Sequence, residues 1–255
     1  MLLPADQRRA LWAAYAFFRK TDDLVDEEHY TPAQLQEWCE RALRPPEEQT
    51  NQILMAWADV RRRYCVEDRH VQDLIGGIAQ DTVQKTYATL PELLEYCYRV
   101  ASCAGLLTIP IIGLAPGVTM KEAAPYAIKL GQALQMTDIL ADVGEDRFAG
   151  RVYLPADELA KDGLTADAIL AGRADAPVRA VIQRLSIFTL DLYRQAWPGF
   201  ALLSGTGRAA VGMGTLVFRS YLDELKRRDF DSVTKAVKPS TGRRLWALAT
   251  GWPLL

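Results

Sequence analysis

Helical periodicity runs through almost the whole chain, and it rules out most of what 255 residues could otherwise fold into. Apolar residues recur every three or four positions over 5–29, 32–43, 51–64, 67–85, 91–115, 119–147, 175–197, 207–228 and 241–251. Each stretch predicts an amphipathic or buried helix. The breaks fall where turn chemistry puts them, at Thr31-Pro32, Pro45-Pro46, Leu90-Pro91, Ala115-Pro116-Gly117 and Trp197-Pro198-Gly199. Alternating strand patterns are nearly absent, and Val152-Tyr153-Leu154 is too short to count. No repeat, low-complexity tract or long linker divides the chain. The expectation is an all-α, single-domain bundle over 1–255.

Composition narrows the function classes. The chain is 49% hydrophobic and 24% charged, with a formal net charge of −2. Nucleic-acid binding wants a basic face, so it is not expected. Cys39, Cys65, Cys97 and Cys103 form no C-x-x-C pair and read as reduced core residues of a cytoplasmic protein. No segment reaches about 18 uncharged apolar residues, so neither a signal peptide nor a membrane span is predicted. Peripheral contact with a membrane is a separate matter.

Two central segments are apolar nearly all round and rich in small residues: VASCAGLLTIPIIGLA at 100–115 and GFALLSGTGRAAVGMGTLVF at 199–218. Close helix packing explains them. So does a long apolar guest lodged between helices. The polar residues bear on the choice. Tyr15, Arg19, Asp22 and Asp26 are spaced by four, three and four, which places them on one helical face. Gln135, Asp138, Asp142 and Asp146, spaced by three, four and four, repeat the arrangement. Carboxylates one turn apart repel, and Gly144 inside the second stripe costs up to about 1 kcal/mol relative to Ala. A cation would compensate; a solvated acidic face is the plainer alternative. The ligands on offer are oxygens, and neither His29 nor His70 is paired with His or Cys at zinc-ligand spacing, so the ion expected is Mg²⁺, with Mn²⁺ in its place as a variant. Arg19, beside Lys20, is placed to grip phosphate. A metal–diphosphate clamp over an apolar helical cavity suits an isoprenoid diphosphate.

These motifs resemble the squalene/phytoene synthase family, the head-to-head prenyl synthases. The matching stretches are LLPADQRRALWAAYAFFRKTDDLVDE, YATLPELLEYCYRVASCAG, QMTDILADVGEDRFAGRVYLPADEL and YLDELKRRDFDSVTKAV. The third is the most specific and looks especially like bacterial and plant phytoene synthases. The resemblance implies an isoprenoid-synthase-type bundle with a central apolar cavity. It implies that Asp22, Asp26, Asp142 and Asp146 bind metal and carry catalysis, with Asp138 a further metal ligand. It also implies that Arg19, Gln135 and Lys235 contact diphosphate and that Tyr15 lies near the first site. The implied reaction condenses two geranylgeranyl diphosphates through a cyclopropyl diphosphate to phytoene. The alternative is squalene or dehydrosqualene from two farnesyl diphosphates, with NADPH needed for squalene. Aromatic faces such as Tyr15, Phe18 and Tyr96 could stabilise carbocations, although plain core packing is the better reading of any single one, and Leu106, Ile109 and Gly131 would set cavity depth.

The sequence departs from the family pattern in four places. Asp138 stands where Asn is usual, and Ala141 where an arginine usually helps bind diphosphate. The segment that usually precedes the L-L-P is not seen before Met1. Phe218 replaces a common tyrosine. Ala236 replaces a basic residue, leaving Lys235 and Lys238. The loss of phosphate donors keeps a non-catalytic scaffold or assembly protein open as a second class of function, although such relatives typically lose the aspartates that this chain retains.

Overall fold

The computed structural model of the chain describes residues 3–242 and 244, except for the side chain of Asp26. Twelve α-helices in the described residues carry the fold: α1 (Ala5–Asp26), α2 (Pro32–Leu43), α3 (Gln52–Tyr64), α4 (Asp68–Gln80), α5 (Leu90–Cys97), α6 (Cys103–Ile112), α7 (Met120–Ala141), α8 (Val143–Phe148), α9 (Ala156–Ala160), α10 (Ala166–Leu170), α11 (Ala176–Ala196) and α12 (Gly205–Arg227). The helix expected over 241–251 lies almost entirely outside the described residues. There is no strand among the described residues, only two isolated bridges, Thr86 with Val152 and Leu114 with Leu203. The described helices are not long and apolar enough to cross a membrane.

Local chemistry sets the helix ends. Thr31 and Thr119 each accept from the backbone N–H three residues on, while Gln34 and Glu122 reach back, so α2 and α7 both begin on a capping box. Asn51 accepts from the N–H groups of Ile53 and Leu54 to start α3, which stops at Cys65 in the left-handed region.

The expected helix over 91–115 is broken into three parts. Tyr98–Ser102 forms a π-helical turn between α5 and α6, where wider hydrogen bonding inserts an extra residue per turn. Gly131 of α7 explains the tight crossing there. A Cβ on it would lie 2.4 Å from the Ser102 Cα and 2.6 Å from the Ser102 nitrogen.

The apolar residues gather in two clusters. In the first, α1 to α4 and α6 surround Phe17, which stacks on Trp57 with ring centroids 4.6 Å apart. Trp38, on the other side of Phe17, donates its indole N–H to Thr21 Oγ1 at 3.0 Å. The second cluster joins α5, α7 and α11 with the short helices α8 to α10. Between the clusters lies a cavity of about 430 Å³, lined from α6, α7, α12 and the turn of α1 at Phe18. Both small-residue segments border it, the first through Ala104, Gly105 and Thr108, the second through Gly199, Val211 and Phe218. They also pack closely elsewhere: a Cβ on Gly207 would sit 2.2 Å from Ile112 Cγ2. Small residues therefore do both jobs expected of them.

Candidate active site

The second carboxylate stripe occupies a helix break. The sequence predicts one helix over 119–147; the structure ends α7 at Ala141, turns at Asp142 (φ −108, ψ 15) and restarts as α8 at Val143. Gly144 is the cause. Its N–H leaves the helical ladder and donates to the Ser232 carbonyl at 3.0 Å, and a Cβ there would meet the Val233 carbonyl oxygen at 2.5 Å. The glycine thus lets the 232–233 backbone press against the helix, a steric need that accounts for it without a cation. Asp142 still donates to the Asp138 carbonyl and Asp146 to the Asp142 carbonyl, so the four-residue spacing survives the break.

Gln135 and Asp138 line the cavity, the polar end of a wall otherwise made of residues such as Leu130, Leu134 and Ile109. Asp138 is open to that cavity, yet the protein around its carboxylate pushes its pKa up, with Glu145 adding to the effect. Burial, then Asp138 and Glu145, raise the Asp142 carboxyl to about 6; Lys238 opposes them. Burial and Asp142 raise Asp146 to about 7, against the pull of Arg151, with smaller pushes from Asp138 and Asp81. Three crowded carboxylates resist ionisation together, which is the signature of a site short of positive charge. Among the described residues they do not converge as a three-ligand cage; they follow one another along the turn.

The first stripe reaches the cavity wall only through its neighbour on α1. Phe18 of α1 lines it, and Asp22 lies one turn further along that helix. Arg19 pairs with Asp23 at 2.8 Å, and with Asp22 and Glu27 at 3.6 and 3.7 Å. These pairs are half exposed and worth little to stability, so the guanidinium is free to exchange them for a phosphate. The side chain of Asp26 lies outside the described residues. Tyr15 is 67% exposed and does not line the cavity.

Not every residue singled out in the sequence borders the cavity. Tyr96 is buried and does not border the cavity. Its hydroxyl donates to Asp81 at 2.8 Å, within a cluster that includes Tyr87 and Tyr153. Leu106 is buried but faces away from the cavity, because its position on α6 is turned from that of Gly105 and Ile109. Lys235 is exposed on a loop. Lys238, also exposed, holds its Nζ 3.6 Å from the Glu145 carboxylate and acts on Asp142. Ala141 is 2% exposed and belongs to the core, so the arginine position of the family pattern here points into packing.

The model of the squalene/phytoene synthase family matches residues 1–246. The chain belongs to this family. It is 35% identical to the chloroplastic phytoene synthase of Narcissus pseudonarcissus, over 97% of this chain and 60% of that protein. It is 36% identical to the chloroplastic phytoene synthase 1 of Solanum lycopersicum, over 97% of this chain and 62% of that one. The chain therefore spans about three fifths of the length of these two relatives. Among solved structures, a dehydrosqualene synthase with a bound ligand superposes with a TM-score of 0.88 at 26% identity, covering 99% of this chain and 88% of that one. A squalene synthase from Alicyclobacillus acidocaldarius gives 0.81 at 25%, covering 90% and 87%. The helical isoprenoid-synthase fold is thus shared.

Two groups in this family member escape a reading of helical stripes. Asp81 follows the last residue of α4 and accepts hydrogen bonds from Tyr96 and, at 2.9 Å, from Tyr153, while its charge reaches Asp146. One signal was available. An aspartate at a helix C-terminus opposes the macrodipole, so it needs partners from elsewhere. Arg151, beside Asp146, carries no periodic signal because it lies in the loop after α8.

Proposed function

We propose that the chain is a head-to-head prenyl synthase of the phytoene synthase type, which joins two geranylgeranyl diphosphates. The observation that carries this reading is an apolar inter-helical cavity with one polar end, where Gln135 and Asp138 meet the carboxylates of α7 and α8. Similarity in sequence to phytoene synthases supports the longer substrate. The likeness in structure to a dehydrosqualene synthase favours, as a second reading, a pair of farnesyl diphosphates.

The donor set fits Mg²⁺. All its atoms are oxygens, and its carboxylates are held unwillingly charged. Mg²⁺ takes one or two carboxylates with phosphate oxygens and water, so a row of single ligands suffices. Asp138, Asp142 and Asp146 would hold it on one side, Asp22 and Asp26 on the other. When bound, it would neutralise the leaving diphosphate and ease ionisation of the allylic C–O bond. Lys238 and Arg151 add positive charge beside Asp142 and Asp146, and Arg19 would add more from α1. Leu130, Leu134 and Ile109 keep water from the carbocation, which is then attacked by the double bond of the second prenyl chain. Phe18, Phe200 and Phe218 offer the aromatic faces that Tyr15 and Tyr96 do not.

Incubation with Mg²⁺ and geranylgeranyl diphosphate should release diphosphate and give phytoene in the lipid extract. Parallel reactions use farnesyl diphosphate with and without NADPH. A C30 product from farnesyl diphosphate alone would replace the substrate and keep the chemistry. No diphosphate release from either would leave the non-catalytic reading in its place.

A stability measurement tests the metal separately. The carboxyls of Asp142 and Asp146 titrate near 6 and 7 in the folded chain and near 3.9 when unfolded. Between about pH 4 and 7 the folded state binds more protons, so their contribution to stability falls as pH rises and stays lost above that window. Mg²⁺ binds the ionised forms. Millimolar Mg²⁺ should therefore raise the melting temperature more at about pH 8 than at about pH 5. An equal shift at both would contradict a carboxylate site.

A further inference from the structure

Away from the carboxylate stripes, the fold closes a second set of metal-binding atoms. His70 and Asp73 stand one turn apart on one face of α4, and Cys103 opens α6. One ligand atom from each lies within 4.8 Å of the others, the only such set of three among the described residues. The residues are distant in sequence, which is why spacing gave no hint of zinc. Their meeting depends on α4 packing against both the π-helical turn and α6.

The surroundings suit an ion. His70 is 5% exposed, and its Nδ1 is buried with no hydrogen-bond partner, an expensive state for a ring nitrogen. Burial lowers the His70 pKa, keeping the imidazole neutral, the form that ligates. Cys103 is fully buried, and Asp73 is partly open, which leaves a path from solvent. The Tyr98 hydroxyl bonds Asp73 at 3.3 Å and stands beside Cys103, as a fourth donor atom at the same point. Ligands on a tetrahedral zinc stand roughly 3.4–3.8 Å apart, so small side-chain rotations close the shell.

We propose that His70, Asp73 and Cys103 form a structural site for a borderline divalent transition metal such as Zn²⁺, with the Tyr98 oxygen or a water as fourth ligand. A nitrogen, a sulfur and a carboxylate oxygen select Zn²⁺ or Co²⁺ over Mg²⁺, which takes oxygen almost exclusively. Binding displaces the Cys103 thiol proton to solvent, so affinity rises with pH. The ion would pin α4 to α6 directly behind Ala104 and Gly105, which line the cavity. None of the three ligands borders that cavity themselves, so the site is separate from the one that would hold diphosphate.

Co²⁺, added to metal-free protein in excess Mg²⁺, reads the site directly. The expected result is one tightly bound Co²⁺ per chain with a thiolate-to-cobalt charge-transfer band in the near ultraviolet. Cys103→Ser should abolish that band, and His70→Gln should weaken Co²⁺ binding at least about tenfold. Asp142→Asn should leave both unchanged. Should Cys103→Ser fail to fold, His70→Gln decides. Absence of the band in the unaltered chain, its survival in Cys103→Ser, or unaltered affinity in His70→Gln would overturn the proposal.

Discussion

Asp142→Asn should cut turnover with geranylgeranyl diphosphate by roughly three orders of magnitude or more, while the folded protein becomes no less stable above about pH 7. The two effects have one origin. Asp142 sits at the break between α7 and α8, between Asp138 and Asp146, and burial and its neighbours raise its pKa to about 6. In the metal-free chain its charge is a burden at neutral pH, and Asn removes that burden at nearly constant shape. In the proposed reaction the same charge helps hold the ion that balances the departing diphosphate, and a lost Lewis-acid contact costs several kcal/mol of barrier. Turnover and a melting curve on the same preparation separate the roles. A variant that loses activity because it unfolds would make the stripe structural; one that keeps full turnover would remove Asp142 from the mechanism.

Gly131→Ala should destabilise the fold strongly for a single added methyl. The new Cβ would meet Ser102 at its Cα and its nitrogen, at 2.4 and 2.6 Å, and neither atom is the end of a flexible side chain. The π-helical turn and α7 would have to separate, and overpacking of this kind costs about 1–3 kcal/mol or more. Ser102 would also lose its hydroxyl bond to the Ile128 carbonyl, 2.8 Å across the same crossing. Gly105→Ala is the matched control. It lines the same cavity, yet a Cβ there has nothing within 4 Å, and Ala favours the helix by up to about 1 kcal/mol over Gly. Urea denaturation should show a lowered midpoint for Gly131→Ala at unchanged slope, and an equal or higher one for Gly105→Ala. Equal midpoints would mean that the crossing is looser than its geometry states.

Helix content, most helix ends and the family were legible because they depend on local pattern. Thr31, Asn51 and Thr119 cap where the apolar period begins, and the four-residue carboxylate spacing needs only the helix itself to align it. The two small-residue segments announced either packing or a cavity without choosing, and the distinction appeared only between Gly207, which packs, and Gly105, which does not. The roles of Ala141 and Gly144 depend on what packs against them. One is a core residue, and the other admits the backbone of a segment some ninety positions away.

By itself, then, the sequence determined the elements and the order of charges along them, since both are carried by neighbours within one helical turn. Tertiary structure decided which charges share a site: Lys238 beside Glu145, Asp81 within reach of Asp146, His70 against Cys103. Such meetings depend on how helices cross. A crossing is set by close contacts such as Gly131 on Ser102, which are made between residues with no regular separation in the chain.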